Sequence, residues 1–142
     1  MEYKRCFKFL TIILVSLPFY SFSQKALIPK IKHKVIVIAH RGDHTHAPEN
    51  TLAANQNAID DGADFVEIDL LQTMGSQLVI MHNDNILKMT GYDAEVKNML
   101  FDSLRSKKVR DPFYTEYGLF NIPIFKEVLA LCKGKINIYL DF

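Results

Sequence analysis

Cysteine is scarce in this chain, with two residues, Cys6 and Cys132, among 142. One lies in the basic N-terminal stretch, so no disulfide framework can hold the remainder together. No apolar run reaches the roughly 18 residues that a bilayer span requires. The longest, Phe9 to Tyr20, carries Pro18 near its end. An excess of one charge is missing too: 17 Lys+Arg stand against 16 Asp+Glu. That balance gives a nucleic acid or an anionic surface nothing to select. There is no G-x-S-x-G segment, which disfavours a serine esterase. Internal repeats, low-complexity tracts and Pro/Gly linkers are absent, so nothing divides the chain into two globular domains. The length itself is short of the roughly 250 residues needed to close an eight-stranded α/β barrel.

What is present begins with an export signal. Lys4, Arg5 and Lys8 precede an uncharged run that ends in Ser21-Phe22-Ser23. A basic start, a short apolar heart and a small-x-small site together read as a signal peptide over residues 1–23. Residues 24–142 then form one domain, exported to the periplasm or beyond the cell. Its single cysteine, Cys132, sits among Val128, Leu129 and Leu131 and reads as a small core residue.

From Lys34 the pattern is strand, helix, strand, strand, helix, strand. Val35 to Ala39 is a β-branched run suited to a strand buried on both faces. Pro48 or Glu49 is expected to open a helix that ends at Asp61, before Gly62. Asp64 to Leu71 and Gln77 to Met81 are the next two strands, with a tight hairpin turn at Thr73-Met74-Gly75-Ser76. Residues 83–121 are polar and mixed, with a short helix expected near Asp102 to Lys107. Pro123 is expected at the first position of a helix burying Ile124, Val128, Leu129 and Leu131 or Cys132, with Gly134 as its stop. Ile136 to Phe142 reads as a last strand. Alternating β and α elements imply an α/β class built on parallel strands with right-handed crossovers.

Titratable residues collect where such strands end. His40 follows the first strand, Glu67 and Asp69 lie on the second, His82 follows the third and Asp141 is on the last. The carboxyl edge of an α/β sheet or barrel is where a ligand cleft forms. Glu67 and Asp69, two apart on a strand, project from one face with Cα atoms about 6–7 Å apart. The strand around them is apolar, so a hard divalent cation, Mg²⁺ or Ca²⁺, would offset their repulsion. Histidines at two strand ends flanking such a pair suit proton transfer near neutral pH. Arg41 offers a planar fork for phosphate, with a structural salt bridge as its alternative. His44 and His46 share the H-x-H spacing of metal-dependent barrel hydrolases. They fall in the loop beyond Gly42 and not on the first strand, and read as loop residues.

His40-Arg41-Gly42, then Pro48-Glu49-Asn50-Thr51, Glu67-x-Asp69, Thr73 and Val79-x-x-His82 together resemble the glycerophosphodiester phosphodiesterase family. Ile122-Pro123-Ile124-x-x-Glu127-Val128-Leu129 is similar to that family's segment before its third metal-binding strand. The likeness runs from about Val35 to Phe142. It implies the N-terminal portion of a TIM-type (β/α)8 barrel of the phospholipase-C-like phosphodiesterase kind, incomplete in this chain. It implies His40 and His82 as the catalytic general acid and base, and Glu67, Asp69 and Asp141 as ligands of a divalent metal ion. It further implies Arg41 beside the substrate phosphate, with Glu49 and Asn50 bracing the loop that carries His40. Asp141 stands where the family usually has glutamate. His82-Asn83 replaces the usual His-Asp, and Lys88-Met89-Thr90 the usual Arg-Thr-Thr.

The expected reaction is hydrolysis of a small-molecule phosphodiester to an alcohol and glycerol phosphate. The attacking group would be water or the glycerol hydroxyl beside the phosphate. Two other classes predict different behaviour. A barrel metal hydrolase using His44 and His46 would bind Zn²⁺ or Mn²⁺ through them, and a non-catalytic glycerophosphodiester-binding module would bind without turnover. Since the motifs cover about half of such a barrel, the chain is expected to be a fragment, weakly stable and inactive alone, with exposed sheet edges.

Overall fold

The computed structural model describes residue 29 and residues 31–142. The signal peptide expected over residues 1–23, and with it Cys6, lies outside the described residues. The elements run β1 Ile38–Ala39, α1 Leu52–Asp60, β2 Phe65–Gln72, β3 Leu78–Ile80, α2 Leu87–Thr90, α3 Phe101–Arg105, β4 Lys108–Val109, β5 Phe120–Asn121, α4 Phe125–Cys132 and β6 Asn137–Asp141. Single 3₁₀ turns occupy Val96–Asn98 and Thr115–Tyr117. Among the described residues no helix is long and apolar enough to cross a membrane.

Strand β2 is the centre of the molecule. Its first half pairs in parallel with β1 on one side and with β6 on the other, Asp69 lying opposite Asp141. Because strand side chains alternate, Val66 and Ile68 enter the core with Ala58, Ile80, Val128 and Cys132, while Glu67 and Asp69 take the other face. Helices α1 and α4 cover the apolar face, as crossovers between parallel strands require. Cys132 is buried there as expected, and burial pushes its thiol up.

The second half of β2 leaves the parallel sheet. Leu70 to Gln72 pair antiparallel with β3, and the turn between them is closed by Thr73 N–H donating to Gln77 O at 3.0 Å. The other side of this hairpin carries a second core, made by Val79, Met81, Ile86, Met89, Val96, Leu104, Val109 and Ile122. Residues 83–121 are therefore a packed lobe between β3 and α4, where periodicity showed little beyond one short helix. That helix is Phe101–Arg105, not Asp102 to Lys107. Arg105 fastens the lobe with two 2.8 Å bonds to the Glu127 carboxylate, and Glu127 in turn accepts the Ile124 N–H at 2.9 Å.

Several expected boundaries move, each for a local reason. The first strand shortens from Val35–Ala39 to two residues, and it is not buried on both faces: Val35 is 76% exposed. Among the described strands β1 is an edge, and residues 31–37 are held instead by the Asp64 side chain. The helix expected from Pro48 or Glu49 starts at Leu52, because Asn50 has φ +57° and the Thr51 hydroxyl caps by accepting the Ala54 N–H. Helix α4 begins two residues after Pro123, whose carbonyl accepts the Ile80 N–H, and Leu129 turns outward.

Two of these local arrangements carry predictions. The Asp64 carboxylate is buried and receives the backbone N–H of Lys32, the N–H of Val37 at 3.0 Å and the His33 ring at 3.0 Å. The Lys32 amide, followed by Val37 and His33, lowers its pKa from 3.8 to about 2 against the opposing effect of burial. A carboxylate depressed on folding stabilises the folded state above its unfolded pKa and loses that contribution as pH falls. Unfolding followed by circular dichroism should therefore show stability falling between about pH 4 and pH 2. Asp64→Asn should lose most of that slope.

Gly42 has φ +85°, and a Cβ there would stand 2.7 Å from the Ala54 carbonyl carbon. Helix α1 rests directly on this turn, with Asp43 N–H donating to Ala54 O at 2.9 Å. Gly42→Ala should cost about 2 kcal/mol or more from left-handed strain plus overpacking, measured by urea unfolding.

Candidate active site

The carboxylates meet as the alternation of β2 and the register of β6 require. Ligand oxygens of Glu67, Asp69 and Asp141 all lie within 4.8 Å of one another. Among the described residues they are the one group of three or more His, Cys, Asp or Glu side chains gathered this closely. Hard carboxylate oxygens at this spacing match the donor set of a divalent cation such as Ca²⁺ or Mg²⁺. His44 and His46 belong to no such group; His46 instead meets the Tyr117 ring edge-on at 6.4 Å.

Two histidines lie near this trio. His40 leaves β1 level with Glu67, its Nε2 3.6 Å from Glu67 Oε1. His82 was expected at the end of a parallel strand, but β3 runs antiparallel to β2. The hairpin folds back on the carboxyl end of β2, where Met81 N–H donates to Asp69 O at 3.1 Å. His82 consequently lines a cleft of about 230 Å³ with Asp69, Asp84, Asp141 and Phe142. Its Nδ1 lies 2.7 Å from Asn83 Oδ1. An amide oxygen only accepts, so the proton of that bond sits on Nδ1, and in the neutral ring Nε2 carries the lone pair. Asn83 thus takes the orienting part that an aspartate would have played.

Arg41 is more engaged than a free phosphate fork. Its backbone is left-handed at φ +58°, Nη1 meets Glu49 Oε1 at 3.2 Å, and Nε lies 3.4 Å from Asp69 Oδ2, an ion-pair contact without a hydrogen bond. The salt-bridge alternative is therefore present, and it runs straight to the carboxylate trio. Glu49 meets Arg41 through its carboxylate, and the Asn50 N–H donates to Arg41 O at 2.9 Å. The Asn50 side chain makes a contact that no spacing along the chain reveals, donating from Nδ2 to Asp69 Oδ2 at 2.6 Å.

The sequence profile of the Glycerophosphoryl diester phosphodiesterase family matches residues 40–142. The chain belongs to that family. Among glycerophosphodiester phosphodiesterases, one from Bacillus altitudinis is 34% identical over 105 residues, covering 74% of this chain and 43% of the relative. Glycerophosphodiester phosphodiesterase 1 of Mus musculus is 32% identical over 141 residues, covering 91% of this chain and 41% of the relative. An Oleispira antarctica phosphodiesterase solved with the product sn-glycerol-3-phosphate superposes with TM-score 0.69 at 30% identity, over 75% of this chain and 43% of that one. The Agrobacterium tumefaciens glycerophosphodiester phosphodiesterase gives 0.69 at 26% identity, over 73% and 45%. The chain therefore spans less than half the length of these relatives, and its fold is that of a partial TIM-type barrel. Strands β1, β2 and β6 supply parallel staves, and the β2–β3 hairpin with its lobe stands at their carboxyl end.

Proposed function

We propose that the protein hydrolyses glycerophosphodiesters, with the reacting phosphate held at the carboxylate trio. The observation that carries this reading is the convergence of Glu67, Asp69 and Asp141, with His40 beside Glu67 and His82 lining a cleft with Asp69 and Asp141. A divalent cation held by the three carboxylates would polarise a phosphate oxygen and offset the charge of the transition state. Arg41, one edge of its guanidinium against Asp69, would hold a second phosphate oxygen. Of His40 and His82, one would take the proton of the attacking hydroxyl and the other would return one to the leaving alkoxide. With Nδ1–H spent on Asn83, His82 would do its work through Nε2. Two rings on either side of one phosphate would let attacking and leaving groups be served without exchanging places.

The whole protein should release sn-glycerol 3-phosphate from glycerophosphocholine, detected with a coupled dehydrogenase. A wild-type preparation that binds the diester without releasing either product would instead support the binding module. With residues 1–23 as a cleaved leader, this activity would be found outside the cytoplasm, and fractionation of cells expressing the complete gene would test that.

Asn83→Ala should lower kcat by about tenfold while leaving KM little changed, since it removes only the group that orients the His82 ring. A wild-type kcat in that variant would show that the Nδ1 contact does not matter.

A further inference from the structure

We propose that Asn50 is a positioning residue for the metal site, fixing which oxygen of Asp69 is presented to the cation. The inference rests on the reading of Glu67, Asp69 and Asp141 as metal ligands. Asn50 is only 3% exposed and holds Asp69 at two points. Its Nδ2 donates to Asp69 Oδ2 at 2.6 Å, while its Oδ1 accepts the Asp69 N–H at 3.3 Å. One planar amide thereby spans the backbone and the side chain of a single ligand residue. Asp69 Oδ2 takes the Asn50 amide and has Arg41 Nε 3.4 Å away as an ion-pair contact, so Oδ1 is the oxygen left to ligate. A carboxylate tied in this way loses little rotamer freedom when it binds a cation, and a donor on the second oxygen sets its orientation.

The backbone explains why asparagine stands here. Residue 50 has φ +57°, a conformation in which asparagine is among the best tolerated side chains after glycine. Thr51 beside it caps α1, and the Asn50 N–H closes the loop back onto Arg41 O. One residue thus ends the loop that carries His40 and Arg41 and reaches across to a strand 19 positions later in the chain.

Glycine separates these two duties, because it takes the left-handed backbone freely and lacks the amide. The full-length protein, stripped of metal, would be titrated with Ca²⁺ and separately with Mg²⁺ by calorimetry, as wild type, Asn50→Gly, Asn50→Ala and Asp69→Asn. Asn50→Gly and Asn50→Ala should both bind about 10–100-fold more weakly than wild type, the range seen when a group orienting a ligand is removed. Their melting temperatures should differ, alanine paying the backbone strain. Excess cation should restore kcat in Asn50→Gly. If alanine prevents folding, glycine alone decides. Affinity within twofold of wild type in Asn50→Gly, with Asp69→Asn clearly weakened, would overturn the proposal and leave the metal site standing. If wild type binds neither cation, or Asp69→Asn binds as wild type does, the metal reading fails and this inference with it.

Discussion

His82→Ala and His40→Ala should each lower the kcat of the full-length protein on glycerophosphocholine by about 10²–10⁴-fold, the usual worth of a positioned acid or base. One ring follows β1 and the other follows the return strand of the hairpin. Neither is wired to the other, so each removes its own proton transfer. Proton transfer matters only as bonds to phosphorus form and break, so KM should move much less than kcat. Loss of kcat with KM intact would separate a proton carrier from a substrate-binding ring. His44→Ala and His46→Ala should leave kcat within about twofold, since neither ring joins the carboxylate group; a large loss in those two, with tight Zn²⁺ binding, would move the chemistry onto the H-x-H pair. Near wild-type turnover in either His40→Ala or His82→Ala would remove that residue from the mechanism.

A chelator should abolish turnover, and added Ca²⁺ or Mg²⁺ should restore it. Three carboxylates with oxygens within 4.8 Å repel one another, and Arg41 stands against one of them, Asp69. A divalent ion would supply the remaining neutralisation. Glu67→Gln keeps the shape and deletes one negative charge. It should cut affinity for the ion and lower kcat/KM by 10²-fold or more, about 2.7 kcal/mol in transition-state stabilisation. The same change should leave the metal-free protein as stable as wild type or slightly more so, because it relieves like-charge repulsion. Stability gained together with activity lost would mark Glu67 as kept for chemistry. Turnover indifferent to chelator would sink the metal site.

Much of this arrangement could be read from local pattern. Period-two alternation put Glu67 and Asp69 on one face of an apolar strand, and the last strand delivered Asp141 to the same edge. What local pattern missed was long-range geometry. The turn over residues 73–76 reads as a hairpin and is one, but the return of that hairpin onto the end of β2, which brings His82 back to Asp69, is not in the strand pattern. Residues 83–121 show no period because their core is shared with the far side of the hairpin and assembled from single residues such as Ile86, Val96 and Leu104. Pro48 and Glu49 satisfy the rules for a helix start, but the left-handed backbone at Asn50 postpones it. The bond from Asn50 to Asp69 joins two elements whose proximity is decided by the βαβ crossover, which no spacing along the chain reveals.

The pairing of Asp69 with Asp141 has a consequence for how the molecule is assembled. The two partners are about 70 residues apart in sequence, so closing this contact is among the most entropically costly steps of folding. Until β6 docks on β2 there is no three-oxygen cage, only two carboxylates on one strand. A cation that needs all three would have affinity for the docked sheet and almost none for the open chain, and would stabilise the former by mass action. The ion would thus act as a latch on strand order, and a protein folding without it would hold its last described strand by main-chain pairing, the Asn137 amide on Asp64 O and the packing of Ile138.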